Sequence, residues 1–226
     1  MSNPDSAPDQ ISLFDITPAI ASSTSNSVQV SLEPGLTFEN LAQLNTVASE
    51  CVKCPLAATR TKVVVQRGNP QADILIIGEA PGQDEDEQGL PFVGRSGQLL
   101  DKILESVQLT EQDVYICNIV KCRPPQNRVP TEQEARTCKP YLVEQIRLVN
   151  PKIILLTGAT AVKGVIGDKS PISKIRGEWM QWQGYWVMPI FHPAFLLRNQ
   201  SREPGKPKWL MWQDIQQVKA KYLEIR

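Results

Sequence analysis

The sequence predicts an α/β protein, a three-layer α/β/α sandwich around a central four-stranded parallel sheet. Three observations carry this. Four short runs, 73 to 78 (DILIIG), 114 to 119 (VYICNI), 152 to 157 (KIILLT) and 185 to 190 (YWVMPI), are almost continuously apolar and rich in β-branched residues. Strands read that way when helices cover both faces of a sheet; a half-solvated strand would alternate. Helical segments at 94 to 107, 131 to 149 and 159 to 166 alternate with these runs, and such alternation builds a parallel sheet. Finally, 226 residues with 41 % hydrophobic and 21 % charged content suffice for one domain with a real core.

In chain order, residues 1 to 36 are rich in Ser, Pro, Asp, Asn and Gln. They hold too little apolar surface to offset the entropy of ordering, so a disordered polar tail is expected there. The ISLFDI run at 11 to 16 is a docking peptide or a chance apolar cluster. The domain is expected over 37 to 226, starting with a helix in TFENLAQLNTVASEC that Thr37 caps and whose face is Leu41, Leu44 and Val47. A last helix at about 206 to 224 closes the chain.

The formal net charge is zero and the pI is 6.6, so any nucleic-acid site is a local patch. No apolar run is long enough for a membrane span, and the N-terminus lacks the basic-then-apolar pattern of a signal peptide. A cytoplasmic monomer is expected, associated with the nucleoid if it acts on DNA. His192 is the only histidine, so imidazole chemistry happens there or nowhere.

Ligands of parallel sheets bind at the carboxyl ends of the strands. That selects GEAPG (78 to 82), Asn118 to Pro125, the turn after Leu156, and Phe191 to Arg198. The glycine turn looks like a phosphate cradle, but Asp84, Glu85, Asp86 and Glu87 follow at once and would repel a triphosphate. No G-K-[ST] follows either.

Five cysteines in a reduced compartment point to metal, catalysis or core rather than disulfides. Cys51 and Cys54 form C-x2-C; Cys122 and Cys138 follow far downstream, amid Pro55, Pro124, Pro125 and Pro140. Four thiolates suit zinc or an iron–sulfur cluster, and the spread second pair favours the cluster; ordinary buried cysteines are the alternative. Cys117, at an apolar strand position, reads as core.

GEAPG (78 to 82), GLPFVGRSGQLLD (89 to 101), NIVKCRPPQNRVPT (118 to 131) and HPAFLLR (192 to 198), in that order, resemble the family 4 uracil-DNA glycosylases, which carry a [4Fe-4S] cluster. The resemblance spans about 37 to 224. It implies a monofunctional enzyme that flips uracil out of single- or double-stranded DNA and hydrolyses its N-glycosidic bond. It further implies Cys51, Cys54, Cys122 and Cys138 as cluster ligands, Asn118 as the reader of uracil, and His192 as the donor to the uracil O2.

The residue chemistry agrees. The tight turn at Gly78 lets the backbone approach a flipped nucleotide. Phe92 either stacks on the base or packs beneath the turn. The Asn118 amide offers a donor and an acceptor that match the uracil O4 and N3–H, a pattern that cytosine inverts. Ala80 stands where the best-known uracil-DNA glycosylases carry an aspartate. Glu79 is therefore the candidate for positioning water or stabilising the cationic sugar. Glu85 is a candidate for crowding uracil C5, while Asp84, Asp86 and Glu87 read as a solvated loop.

Lys121, Arg123, Arg128, Arg198, Arg202, Lys206 and Lys208 are candidate phosphate contacts, Arg123, Arg128 and Arg198 foremost. Phe195, Leu196 or Leu197 either enters the duplex or packs the last helix. Two other readings are a catalytically weak DNA-binding or polymerase-associated module and a covalent uracil-DNA binder. The latter is disfavoured, because such proteins carry glutamine at the Ala80 position and an inserted basic loop with a histidine. HPA also replaces the commoner HPS, which removes a hydroxyl near the DNA backbone.

Overall fold

The computed structural model describes residues 36–226. The expected tail, apart from Leu36, and the ISLFDI run lie outside the described residues. Six strands form one mixed sheet: β1 (Arg67–Gly68), β2 (Ile74–Gly78), β3 (Val114–Asn118), β4 (Ile153–Thr157), β5 (Met180–Trp182) and β6 (Tyr185–Ile190), in the order β1-β3-β2-β4-β6-β5. The four expected strands make the parallel centre, within one residue of their expected ends. Sequence reasoning missed β1 and β5, which pair antiparallel at the two edges. The sheet is therefore mixed and six-stranded, with a four-stranded parallel core.

Among the described residues eight α-helices accompany it: α1 (Leu41–Ser49), α2 (Gln83–Gln88), α3 (Arg95–Glu105), α4 (Glu132–Val149), α5 (Ala159–Ile166), α6 (Ile172–Ile175), α7 (Pro193–Arg198) and α8 (Pro207–Ile225). Strand side chains alternate between two cores. Ile74 and Ile76 join Leu100 and Leu104 of α3, Leu196 of α7, and Met211, Ile215 and Val218 of α8. Leu75 and Ile77 join Leu142 and Ile146 of α4 and Val162 and Val165 of α5. These are the two outer layers of the sandwich. A third cluster packs Leu44 and Ala48 of α1 on Tyr141 of α4.

Two local expectations are corrected. Asn40, not Thr37, caps α1, its side chain accepting from Gln43 N at 2.9 Å. The buried stripe is Leu44 and Ala48, and Val47 faces solvent. The acidic segment is no loop: it forms α2, with Glu85 and Asp86 buried. Asp86 accepts from Thr61 N and Lys62 N, so it staples the segment after the C-x2-C pair rather than meeting solvent.

Topology positions the site. The chain leaves β2 toward β3 on one side and reaches β4 on the other, so the switch point lies at the carboxyl end of β2. There Gly78 pairs in register with Asn118.

Candidate active site

Asn118 ends β3 at 2 % exposure, and its Oδ1 is buried without a hydrogen-bond partner. A buried carbonyl oxygen left unpaired costs about 1–3 kcal/mol. Such a group is completed by a ligand, a water or an ion. Gly78 permits a close approach: a Cβ there would strike the Asn118 Oδ1 and come within 2.6 Å of the Phe92 ring. Gly78, Asn118 and Phe92 thus converge on one point.

Phe92 adopts φ 55°, a left-handed backbone that costs a bulky residue energy. Glu85 holds it there. Its Oε1 accepts from Val93 N at 3.0 Å and Gly94 N at 2.9 Å, and its Oε2 accepts from Gly82 N at 3.0 Å. The carboxylate ties the GEAPG turn to the Phe92 turn and to the start of α3. Gly97 is required beneath, since a Cβ there would overlap the Phe92 carbonyl. Phe92 also packs in the core beside α3, the second of the two roles expected for it.

His192 follows β6 and caps α7, its Nδ1 accepting from Ala194 N at 3.1 Å. The proton of the neutral ring then sits on Nε2, free to donate. Burial, helped by the nearby Arg198, lowers the imidazole to about 4, so it is neutral at physiological pH. Its ring lies 5.9 Å from that of Phe92, and Gly158, at φ 85°, passes its Cβ closely. Asn118, Phe92 and His192 therefore line one site with Gly78. Glu79 and Ala80 are half-buried in the turn after Gly78. The Glu79 carboxylate makes none of the hydrogen bonds or ion pairs found among the described residues.

Cys51, Cys54, Cys122 and Cys138 line a second, small cavity with Arg60, Lys121 and Tyr141. Arg60 Nη1 approaches Cys122 Sγ at 3.5 Å, and Lys121 N approaches Cys138 Sγ at 3.3 Å. Burial, opposed by Arg60, pushes the Cys122 thiol up to about 11, so thiolates there call for a bound cation. Among the described residues no three metal-binding side chains gather as a single ion requires. Cys117 is fully buried in the core, as expected.

The cations divide. Lys121 is 2 % exposed and donates from Nζ to the Asn118 carbonyl at 2.7 Å, so it is no phosphate contact. Arg128 forks onto Glu134 at 2.8 and 2.7 Å, and that pairing holds the Glu134 carboxyl down at about 2. Arg123 bonds Asn127 Oδ1 at 2.7 Å. Arg198, Arg202 and Lys206 are exposed. Sequence reasoning missed a cleft beside Ile119, where Arg136, Lys139 and Lys163 line the space between α4 and α5. Only the three-dimensional meeting of two helix starts reveals it. Of the three wedge candidates, Leu196 is buried, Phe195 packs on Phe191 with ring centroids 5.0 Å apart and tilted by 38°, and Leu197 is half-buried.

The fold and this site define a member of a known superfamily: the family model described as Uracil DNA glycosylase superfamily matches residues 65–216. Three relatives named type-4 uracil-DNA glycosylase align with most of the chain. The one from Thermotoga maritima is 45 % identical over 173 residues, 76 % of this chain and 88 % of its own length. Those from Sulfurisphaera tokodaii and Archaeoglobus fulgidus are 41 % and 40 % identical, covering 72 % and 74 % of this chain and 78 % and 88 % of their own. The chain belongs to the type-4 uracil-DNA glycosylases of that superfamily. Among the described residues no helix is long and apolar enough to cross a membrane.

Proposed function

We propose that this protein is a monofunctional uracil-DNA glycosylase that hydrolyses the bond between uracil and deoxyribose, releasing free uracil and leaving an abasic site. One observation carries the reading: the buried, unpartnered Asn118 Oδ1, packed beside the Phe92 ring against the bare Gly78. That oxygen accepts the uracil N3–H while the amide nitrogen donates to O4. Cytosine would set acceptor against acceptor and donor against donor, leaving buried groups unpaired.

With the base between Asn118 and Phe92, the C1′–N1 bond breaks and its electron pair leaves on uracil. The His192 Nε2–H stabilises the charge gathering on O2. A neutral donor suits this task, since it holds the anion without protonating it beforehand. Water bonds to C1′, and the proton it gives up ends on the departing uracil anion, so that a C1′ hydroxyl and neutral uracil result. Glu79, in the turn beside the base and free of partners, is the candidate to position that water or face the cationic sugar. Glu85 acts by holding the Phe92 turn; its oxygens are engaged there, so the idea that it crowds C5 is not retained.

Four cysteines around a cavity, with N–H groups directed at two of the sulfurs, suit a [4Fe-4S] cluster better than one zinc ion. The cluster would brace the segment from Asn118 to α4 against DNA. Arg123, Arg198 and the cations of the α4–α5 cleft would meet phosphates, Arg128 contributing less because Glu134 holds it. Leu197 is the candidate wedge. The chain alone supplies every residue of this site, so a cytoplasmic monomer acting at the nucleoid suffices.

The test is product analysis on a uracil-containing oligonucleotide, single- and double-stranded. Free uracil, with strand breakage only after alkali, is expected. No release by folded, iron-loaded protein would overturn the proposal in favour of a DNA-binding module.

A further inference from the structure

Lys121 is among the largest fully buried side chains, yet none of the ion pairs among the described residues includes it. Its Nζ has one hydrogen bond, to the Asn118 carbonyl at 2.7 Å. A buried ammonium facing only a neutral carbonyl and the buried Cys117 thiol is costly, and proteins keep one only where charge compensates it. Its surroundings indicate where that charge lies. Lys121 lines the cavity of the four cysteines, and its own N–H approaches Cys138 Sγ at 3.3 Å. Its carbonyl accepts from Val64 N at 2.8 Å, so the residue is fixed at both ends. The ammonium thus lies between the thiol cavity and the residue assigned to reading the base.

We propose that Lys121 is a positioning residue with two partners: it balances the negative charge of the metal–sulfur group held by Cys51, Cys54, Cys122 and Cys138, and it fixes the Asn118 peptide so that the amide faces the base. This rests on reading the cysteine cavity as a cluster site. The Nζ bond pins the chain where it leaves β3, and the Asn118 side chain, with no protein partner for its Oδ1, depends on that backbone for its aim. Removing the ammonium removes both effects; replacing it with a neutral donor removes only one.

The experiment compares wild type, Lys121→Met and Lys121→Gln by iron and sulfide content, cluster midpoint potential and inhibition by free uracil. A buried cation beside a cluster favours the reduced form, so both variants are expected to show a lower potential. Lys121→Met is expected to bind uracil about ten-fold or more weakly, having lost a charged hydrogen bond. Lys121→Gln, which still donates to the Asn118 carbonyl, is expected to stay within about three-fold of wild type on the same ground. An unchanged potential in either iron-loaded variant overturns the charge-balancing role. Undiminished uracil binding in Lys121→Met, or its loss in Lys121→Gln, overturns the positioning role. If Lys121→Met does not fold, Lys121→Gln decides both. Wild-type protein that binds no iron under anaerobic reconstitution would instead sink the cluster reading and the charge role with it, leaving the uracil measurement to judge the rest.

Discussion

Gly78 and Asn118 are paired residues at the ends of adjacent parallel strands, and the bare α-carbon of Gly78 is what lets the Asn118 Oδ1 and the Phe92 ring pack against it. On the proposed reading, strand register builds the base-reading element directly. Gly78→Ala puts a methyl group against both that oxygen and the Phe92 ring. It should reduce uracil excision by at least about a hundred-fold, the equivalent of two lost hydrogen bonds. Inhibition by free uracil should vanish in parallel. Retained inhibition would mean that the base binds elsewhere.

Glu85 and Phe92 make a second test. Glu85→Ala releases three backbone N–H groups and the left-handed turn at Phe92. A loss of about 2 kcal/mol in stability is expected, together with a lower excision rate. Urea denaturation checks the first and single-turnover kinetics the second. Unchanged values for both would show that the turn holds itself.

His192 sets the pH behaviour. Its imidazole is lowered to about 4 in the fold, against 6.5 ordinarily. Between those values the unfolded chain binds a proton that the native state does not, so this residue makes stability fall as pH is lowered through the window. Excision should show no His192-dependent acid limb near 6.5 and should fall only toward pH 4. A limb near 6.5 that disappears in His192→Asn would contradict a neutral donor.

The cysteine cavity is a structural centre on this account. Cys122→Ser, or iron removal by chelation, should lower Tm by about 10 °C, the shift that roughly 3 kcal/mol produces in a domain of this size. Calorimetry before and after reconstitution checks it. An unshifted Tm would show that the centre does not brace the fold.

The four central strands were legible because each is buried on both faces, which writes a continuous apolar run into the sequence. The edge strands were not, since RG and MQW carry no such signal. Asn118, His192 and the cysteines stand out by residue type and place, and the fold sets Asn118 beside Gly78, His192 beside Phe92 and four of the cysteines around one cavity. Asp86 and Lys121 were misread because a charged side chain is ordinarily solvated, and only the fold shows that Thr61 and Asn118 engage them. The strained backbone at Phe92 has no signature in the sequence: Glu85 imposes it from another turn.

The central claim is that Asn118 and His192 act on one base in one pocket. The most direct measurement is the single-turnover rate of uracil release from a U·G duplex by wild type, Asn118→Ala and His192→Ala, each checked for folding and iron. The account predicts rapid release by wild type and a loss of at least about a hundred-fold in each variant, as expected for removing a base-reading pair or a donor to the leaving group. Release by either variant within a few-fold of wild type would contradict it.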